Sequence, residues 1–271
     1  MSNPTIETWV QYTHLDKLYG YLPGMATALP AVFGLSTAEY DEIRTRFAQQ
    51  ADGAARDLLT DPSFVATVDA LPFESEQTVI AVGDSITDDL QSWFEILRRV
   101  LDQRRPELRL HMINQGLSAH TTTMVLRRWP ATAAAIRPDW VICALGGNDV
   151  TRVGPEPAFP QVDVAHSIAN LRRMQAIAPQ ARWVWITPAP VREERVNAHQ
   201  PFQFGGSTWR NADICALAEG MRAFDGPLID LVTTFDVPAD PALQGADGVH
   251  PTVAGQAAIV RALVERLVGR P

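Results

Sequence analysis

Basic charge, lysine, cysteine and long apolar runs are all scarce in this sequence of 271 residues. The net charge of -8 provides no basic stripe for a phosphate backbone, so we do not expect nucleic-acid binding. No window approaches the roughly eighteen consecutive apolar residues of a transmembrane helix, which excludes a membrane span. The first 30 residues also lack the charged and apolar regions of a secretory signal, so a cytoplasmic location is expected.

The rarity of lysine and cysteine narrows the chemistry further. The only lysine is Lys17, against 22 arginines, and no S-x-x-K pair exists, which disfavours Schiff-base and Ser-Lys mechanisms. Cys143 and Cys215 lie in apolar or helix-like stretches, so we interpret both as small buried side chains rather than as a disulfide or metal ligands. Walker A, G-x-G-x-x-G, H-E-x-x-H and C-x-x-C patterns are absent, and we predict no metal site.

The first part of the chain, residues 1–75, differs in pattern from the rest. No strand is evident before Thr78, and the segment is interpreted as a loop followed by helices. Ser36-Thr-Ala-Glu39 is a capping box that predicts a helix to about Thr60, and Asp61-Pro62 caps a shorter one. We expect a mostly helical extension that packs on the main domain or on a second subunit, which would make a homo-oligomer. A catalytic role for it is the less favoured alternative.

From residue 76 to residue 271 the pattern is typical of an α/β domain. Strand-sized apolar runs occupy residues 78–82, 108–113, 139–145, 182–187 and 227–231. Amphipathic stretches lie between and after them, at about 89–104, 120–136, 163–178, 208–224 and 252–268. This alternation predicts a parallel sheet with helices on both faces. Ligands bind beyond the carboxyl ends of such strands, so the loops after the strands are where a site is expected.

Small polar blocks follow four of these apolar runs. They are Gly83-Asp-Ser-Ile-Thr87, Asn114-Gln-Gly-Leu-Ser118, Gly146-Gly-Asn-Asp149 and Asp247-Gly-Val-His-Pro251. Because the strands are predicted to be parallel, all four blocks lie at the same edge of the sheet. We therefore expect their side chains to form one site.

A serine, a histidine and an acid in these blocks are suited to nucleophilic catalysis. Ser85 alone is typical of a helix N-cap, but a nucleophilic serine needs a base and an acid that orients the base. Asp247 and His250 lie three residues apart before the last predicted helix and provide both. Asp163 and His166 have the same spacing, but they begin an amphipathic helix, where such a pair is usually on the surface. We favour Ser85, Asp247 and His250.

Two further residues are suited to holding an oxyanion. A glycine such as Gly116 lets a backbone N–H approach a ligand closely, and the Asn148 amide donates from a fixed side chain. Each alone is typical of a turn residue. Together with the backbone N–H of Ser85, we predict that they form an oxyanion hole.

The four blocks resemble the conserved blocks of the SGNH hydrolases, also called GDSL esterases and lipases. The family name lists the serine, glycine, asparagine and histidine that Ser85, Gly116, Asn148 and His250 match, and the resemblance covers residues 78 to about 268. It implies a three-layer αβα sandwich of the flavodoxin-like type, with a central parallel sheet of about five strands. It also implies ester hydrolysis without a metal or an organic cofactor.

Two features depart from the family pattern. Ser118-Ala119 stands where a Ser-Gly pair is common, which we interpret as a matter of loop packing without consequence for the catalytic roles. Residues 1–75 have no counterpart in the minimal family fold.

Substrate contacts are sought in the loops around these blocks. The connection from Pro188 to Trp209 is long for an α/β domain and is interpreted as a lid or substrate loop. Its aromatic side chains either line a pocket or anchor the loop to the core, and the first alternative makes Phe202, Phe204 and Trp209 substrate contacts.

Other predicted contacts lie closer to the blocks. Asp84 and Asp149 are predicted to contact substrate, and Val153 and Phe159 to form pocket walls. Two acidic residues are interpreted differently, since Asp88-Asp89 precedes a helix and complements its dipole rather than a metal.

The function that fits these residues is hydrolysis of a small-molecule carboxylic ester with a small or medium acyl group, such as acetyl. Two alternatives remain open. The same serine can pass the acyl group to an alcohol or amine, which would make the protein an acyltransferase. A catalytically silent binding protein is the other alternative, although all five catalytic positions are present and such a protein needs none of them.

Overall fold

Eight strands and fourteen α-helices form the fold in a computed structural model that describes residues 4–156 and 158–269. The strands are β1 (Thr78–Gly83), β2 (His111–Asn114), β3 (Trp140–Ala144), β4 (Arg152–Val153), β5 (Phe159–Pro160), β6 (Arg182–Ile186), β7 (Ser207–Thr208) and β8 (Leu228–Ile229).

Five of these strands form one parallel sheet in the order β2-β1-β3-β6-β8. Successive residues of β1 belong to different cores, because Val79 and Ala81 pack on one face of the sheet while Ile80 and Val82 pack on the other. A strand buried on both faces needs an unbroken apolar run, as this one has. The predicted five-stranded parallel sheet between helical layers is confirmed.

Helices follow each strand of the main sheet. They are α6 (Ser85–Asp88), α7 (Trp93–Arg104), α8 (Thr122–Ile136), α9 (Val164–Ile177), α10 (Glu193–Ala198), α11 (Gln200–Phe204), α12 (Asn211–Met221), α13 (Leu231–Phe235) and α14 (Val253–Val268), with a 3₁₀ turn at Pro106–Leu108. Three of the longer helices start at polar caps, with Ser92, Thr121 and Thr252 accepting hydrogen bonds from the first turn. All five predicted amphipathic stretches are helical in their central parts.

Three short strands form a second sheet that the sequence analysis did not predict. Strands β5, β4 and β7 pair antiparallel, and each contains two residues. A strand of that length is too short for hydrophobic periodicity to show. This sheet joins the segment after β3 to the end of the Pro188–Trp209 connection. The same connection also contains α10 and α11.

Two tryptophans of β6 are buried in the core, and the two cysteines differ in their exposure. Trp183 and Trp185 are buried on β6 with their rings stacked at 4.9 Å. Cys143 is buried in β3, as expected. Cys215 is only half-buried on α12, so the prediction that both are buried is wrong for it.

The N-terminal segment is more helical than predicted. It contains α1 (Pro4–Tyr12), α2 (Leu15–Tyr19), α3 (Met25–Val32), α4 (Thr37–Leu58) and α5 (Pro62–Asp69). The predicted helices at α4 and α5 are confirmed, but the predicted initial loop is wrong. Helices α2 and α3 begin without a side-chain cap, so the usual start signal is missing from the sequence.

The hydrophobic core continues across residue 75. Ala51 and Leu58 of α4 and Phe64 of α5 belong to the same buried cluster as Trp93 and Ile259. The domain division into residues 1–75 and 76–271, and oligomerisation through the first part, stay predictions, and residues 1–3, 157 and 270–271 of those ranges lie outside the described residues. Within the described ranges, no helix combines the length and apolarity needed to cross a membrane.

Helix α4 begins with a complete capping box that offers a test of the extension. Ser36 Oγ accepts a hydrogen bond from the Glu39 N–H, and the Glu39 side chain accepts one from the Ser36 N–H. Because this cap satisfies two exposed backbone groups, Ser36→Ala is expected to lower the free energy of unfolding by about 1 kcal/mol.

Urea denaturation measures this free energy, and Gln49→Ala is the matched control. Gln49 is exposed in the interior of α4, where alanine is a better helix former than glutamine. An equal loss in both variants would contradict the role of the cap.

Candidate active site

The predicted nucleophile lies where β1 gives way to a very short helix. β1 ends at Gly83, Asp84 caps α6 by accepting a hydrogen bond from the Ile86 N–H, and Ser85 is the first helical residue. Asn114, at the end of β2, donates its side-chain N–H to the Thr87 carbonyl. The turn that carries Ser85 is thus supported from the neighbouring strand.

Ser85, His250 and Asp247 form a continuous hydrogen-bonded chain. His250 Nε2 lies 2.8 Å from Ser85 Oγ, and His250 Nδ1 lies 2.6 Å from Asp247 Oδ2. Asp247 Oδ1 also accepts the backbone N–H groups of Val249 and His250. A carboxylate can only accept, so the Nδ1 atom of a neutral His250 carries the proton and Nε2 faces the serine hydroxyl as an acceptor.

The charge states of Asp247 and His250 suit proton transfer from the serine. Burial opposes ionisation of Asp247, but hydrogen bonds and the charge of His250 outweigh it and lower the pKa of Asp247 to about 2. Burial opposes protonation of His250, but the hydrogen bond and charge of Asp247, with the charges of Asp89 and Asp84, raise the pKa of His250 above its ordinary value. The acid therefore stays ionised while the histidine can accept a proton.

The alternative pair lies elsewhere on the molecule. His166 Nδ1 is 2.5 Å from Asp163 Oδ2, and both side chains are more than half exposed at the start of α9. Of the two Asp–His pairs, only Asp247–His250 is connected to Ser85, through His250 Nε2, as the preference for a loop after a strand predicted.

Asn148 and the Ser85 backbone lie at the same place. The Asn148 side chain donates one N–H to the His120 carbonyl at 3.3 Å, which leaves its second N–H for a ligand. The Ser85 N–H has no acceptor among the residues that the structure describes. Both residues line two cavities that meet at Ser85, an inner pocket and an outer cleft.

Gly116 does not occupy the place that the sequence analysis expected. Its N–H donates to Asn114 Oδ1 at 2.9 Å, and a Cβ built on it would lie 2.6 Å from the Asp88 nitrogen. The residue is buried under α6 and lines neither of these cavities. Gly116 is therefore a close-packing glycine, and the prediction that its N–H faces an oxyanion is wrong.

Ala119 lies where that donor was sought. It is exposed at the cleft, its N–H has no acceptor in the described part of the chain, and its backbone is left-handed with φ 62°. This conformation favours glycine, which explains why the family pattern commonly has a Ser-Gly pair where this chain has Ser118-Ala119. The departure thus concerns the edge of the site and not loop packing alone.

The two acidic residues that were predicted to contact substrate, Asp84 and Asp149, are both buried. Asp149 is fully buried and accepts hydrogen bonds from Thr122 and from Ser167 Oγ, so its predicted substrate contact is not supported. Asp84 is buried beside the inner cavity, and burial raises its pKa to about 6. Both carboxylates accept hydrogen bonds from protein groups and so stabilise the structure next to Ser85 and Asn148.

The predicted aromatic contacts divide into two groups. Phe202 and Trp209 line the cleft with their rings 4.8 Å apart, and Trp209 Nε1 donates to the Gly147 carbonyl. Phe204 is 95% exposed and lines neither cavity, so the structure does not support a contact there. Val153 and Phe159 are likewise exposed on the small sheet and line neither of the two cavities at Ser85.

Two cavities meet at Ser85. The inner pocket has a volume of about 40 Å³ and runs into the core between apolar side chains, among them Trp93, Ile186, Val191, Ile214 and Leu231. The outer cleft has a volume of about 370 Å³ and is lined by aromatic and polar side chains, among them Trp9, Tyr12, Ser118, Gln161 and Phe202. Ser85, Asn148, Trp209 and Val249 line both.

The N-terminal helices contribute residues that the sequence analysis missed. Trp9 and Tyr12 of α1 line the outer cleft, and the Tyr12 ring lies 4.6 Å from the His250 ring. Aromatic residues in a short N-terminal helix carry no sequence signal for contact with a histidine that lies 238 positions after Tyr12.

The interpretation of Asp88 and Asp89 as residues that complement a helix dipole is not supported by the structure. Helix α7 begins at Trp93, so neither residue lies in its first turn, and both are buried. Asp88 pairs instead with Lys17 and His14 from the N-terminal helices. In the described chain, no group of three or more His, Cys, Asp or Glu side chains is placed to hold a metal ion.

Comparison with known proteins identifies one family. The family model of the GDSL-like Lipase/Acylhydrolase family matches residues 81–258. Esterase TesA of Pseudomonas aeruginosa is 36% identical over 101 residues, which are 35% of this chain and 49% of that protein. An acetylxylan esterase of Geobacillus stearothermophilus is 32% identical over 92 residues, which are 29% of this chain and 42% of that protein. The chain thus matches less than half the length of either relative.

Solved structures share the fold over a larger part of the chain. Axe2, an acetylxylan esterase from Geobacillus stearothermophilus, has a TM-score of 0.57 and 23% identity, covering 74% of this chain and 98% of Axe2. The lipase/acylhydrolase from Enterococcus faecalis has a TM-score of 0.56 and 24% identity, covering 72% of this chain and 96% of that one. The resemblance seen in the sequence blocks is confirmed.

The left-handed backbone at Ala119 makes a stability prediction. Glycine adopts φ 62° without the Cβ clash, so Ala119→Gly is expected to raise the free energy of unfolding by about 0.5–1 kcal/mol. Ala134→Gly is the control, because Ala134 is exposed inside α8, where glycine costs about 1 kcal/mol. Chemical denaturation measures both, and destabilisation by Ala119→Gly would contradict the assigned conformation.

Proposed function

The chain belongs to the GDSL-like lipase/acylhydrolase family, and we propose that it is a serine esterase that works through an acyl-enzyme. The observation that carries this proposal is the chain of contacts from Ser85 Oγ through His250 to Asp247, at 2.8 and 2.6 Å. These are the distances at which a histidine can remove the serine proton and an acid can orient the histidine.

In the proposed reaction, Ser85 Oγ attacks the ester carbonyl carbon while its proton moves to His250 Nε2. The tetrahedral intermediate collapses, the C–O bond to the alcohol breaks, and His250 returns the proton to the departing alcohol oxygen. Water then attacks the acyl-serine with His250 again as base, which releases the carboxylic acid and restores Ser85. Asp247 holds the imidazole and stabilises its protonated form throughout.

The oxyanion is proposed to bind three donors around Ser85. They are the Ser85 N–H, the free N–H of the Asn148 side chain and the Ala119 N–H. The two backbone groups lack an acceptor within the described residues, and all three residues line the outer cleft. Donors held in place before the reaction stabilise the developing charge without reorganisation, and each typically contributes about 10²- to 10³-fold in rate.

The inner pocket supports a short acyl group. Its volume of about 40 Å³ is about a tenth of the 370 Å³ of the outer cleft. The pocket is apolar and lies between Ser85 and core side chains, so it suits the methyl group of an acetyl ester and not a long chain.

The outer cleft then holds the alcohol. Its aromatic rings and hydroxyl or amide side chains can pack against the faces of an alcohol that carries several polar groups and bind them by hydrogen bonds. The acetylxylan esterase among the relatives is consistent with this assignment. We propose an acetylated polyhydroxy alcohol, such as a sugar, as the substrate class.

The serine mechanism predicts activity that depends on one hydroxyl group. Wild-type protein is expected to hydrolyse p-nitrophenyl acetate, with activity falling from acetyl to palmitoyl, and Ser85→Ala is expected to lose nearly all of it because the nucleophile is gone. Release of p-nitrophenol measures both. Ser75→Ala, an exposed serine in the loop before β1, is the matched control.

A labelling experiment separates a narrow substrate range from a dead site. A fluorophosphonate that reacts with wild type and not with Ser85→Ala supports the proposal even where model esters are poor substrates. Absence of both turnover and labelling would contradict it and favour the binding-protein alternative.

The inner pocket predicts how acyl selectivity can be changed. Ile214 is buried at the start of α12 and lines the inner pocket, so Ile214→Val makes room for one more carbon. One methylene in such a pocket typically changes discrimination by about 10- to 200-fold. We expect the ratio of kcat/KM for propionyl over acetyl ester to rise by about tenfold.

Ile43→Val is the control for this variant. Ile43 is buried in the N-terminal core, lines neither cavity and loses the same methylene, for about 0.5–1.5 kcal/mol of stability. An unchanged acyl preference in Ile214→Val would place the acyl group outside the inner pocket.

A further inference from the structure

A segment of the N-terminal helices, residues 9–17, is bound tightly to the site and is called the clasp segment. Gln11 makes two contacts, because its side chain donates to Asp89 Oδ1 at 3.0 Å and its carbonyl accepts the Leu90 N–H. The Ser118 hydroxyl donates to the Tyr12 carbonyl. The clasp segment thus touches both the end of α6 and the loop after β2.

Lys17, the only lysine of the chain, anchors the end of the clasp segment. Its Nζ lies 2.5 Å from Asp88 Oδ1, and it donates to Asn114 Oδ1 at 3.2 Å and to the Gly116 carbonyl at 3.1 Å. The Asp88 side chain is 1% exposed. A buried carboxylate with a cation beside it resists separation, since removing either partner leaves an uncompensated charge.

These contacts fix Tyr12 over the histidine of the site. The two ring centroids are 4.6 Å apart, and the ring planes differ by 37°. Tyr12 is half-buried next to acidic groups, and desolvation together with the charges of Asp89 and Asp247 raises the pKa of its hydroxyl well above the ordinary value. The ring therefore covers one face of His250 as a neutral group.

We propose that Tyr12 is a positioning residue for His250 and that the Lys17–Asp88 ion pair holds Tyr12 in that role. This inference rests on the proposed function. A ring packed on the imidazole limits its rotation away from Ser85 Oγ and excludes water from one of its faces. Asp247 fixes only the Nδ1 side of the imidazole, so the packed ring adds a restraint that the acid does not provide.

The proposal predicts a separation of kcat from KM. Tyr12→Ala removes the ring and is expected to lower kcat for p-nitrophenyl acetate by about 10- to 100-fold, because small misplacements of a base cost that much. KM should change by less than about threefold. Tyr12→Phe keeps the ring and is expected to recover most of the lost rate.

The same variants should differ in their pH dependence. The charged or titratable groups that act on His250 are Asp247, Asp89 and Asp84, and burial opposes its protonation. Tyr12→Ala reduces that burial, so the pKa of His250 should rise and the acid limb of kcat/KM should move to higher pH. Tyr12→Phe should leave the limb near its wild-type position.

The experiment combines steady-state kinetics with an NMR titration of the His250 imidazole. The titration does not require turnover, so it tests the packing even if the chain proves not to be an esterase. Tyr21→Ala is the matched control, because Tyr21 is 77% exposed in the same N-terminal part. Thermal unfolding shows whether each variant is folded. Full activity and an unmoved titration in folded Tyr12→Ala would overturn the proposal, as would equal losses in Tyr12→Phe and Tyr12→Ala.

A double-mutant cycle tests the role of the ion pair. Lys17→Met alone is expected to lower kcat, because the clasp segment loses its anchor. If Lys17 acts through Tyr12, then Lys17→Met adds less than about twofold in the Tyr12→Ala background. Additive losses would overturn the link between the ion pair and Tyr12.

Discussion

The arrangement of the site depends on the hydrogen bonds and the ion pair of the buried Asp88 carboxylate. Oδ1 pairs with Lys17 Nζ and His14 Nδ1, and Oδ2 accepts the backbone N–H of Ser118. Burial opposes its charge, but the hydrogen bond with His14 and the charge of Lys17 outweigh that effect and lower the pKa of Asp88. Because an unpaired buried carboxylate is so costly, three segments distant in sequence are held together around it.

This contact matters because the helix that carries the nucleophile cannot hold its own position. Helix α6 has four residues, far fewer than an independently stable helix needs. Its carbonyls are bound from outside, by Asn114 at Thr87 and by the Gln256 side chain at Ile86. With Asp88 fixed at its other end, Ser85 is positioned by the surrounding strands and helices.

Local patterns in the sequence predicted the strands, and the rule that parallel strands end at one edge of the sheet then predicted that Ser85, Asp247 and Asn148 lie near one another. They could not predict the clasp segment, where Lys17 meets a carboxylate 71 positions away. Gly116 and Ala119 were misassigned for another reason. Which of two neighbouring N–H groups faces a cleft depends on backbone angles, here the left-handed φ of Ala119, and an alanine does not signal that conformation.

The two cavities divide the proposed reaction between the two parts of the chain. Every residue of the inner pocket follows residue 76, so acyl selectivity belongs to the sheet and its helices. The outer cleft includes Trp9 and Tyr12, and the alcohol leaves on that side with the proton that His250 returns. In the proposed reaction, the N-terminal extension therefore acts at the step where the leaving group departs, since Trp9 and Tyr12 line the cleft assigned to the alcohol and the Tyr12 ring lies against His250.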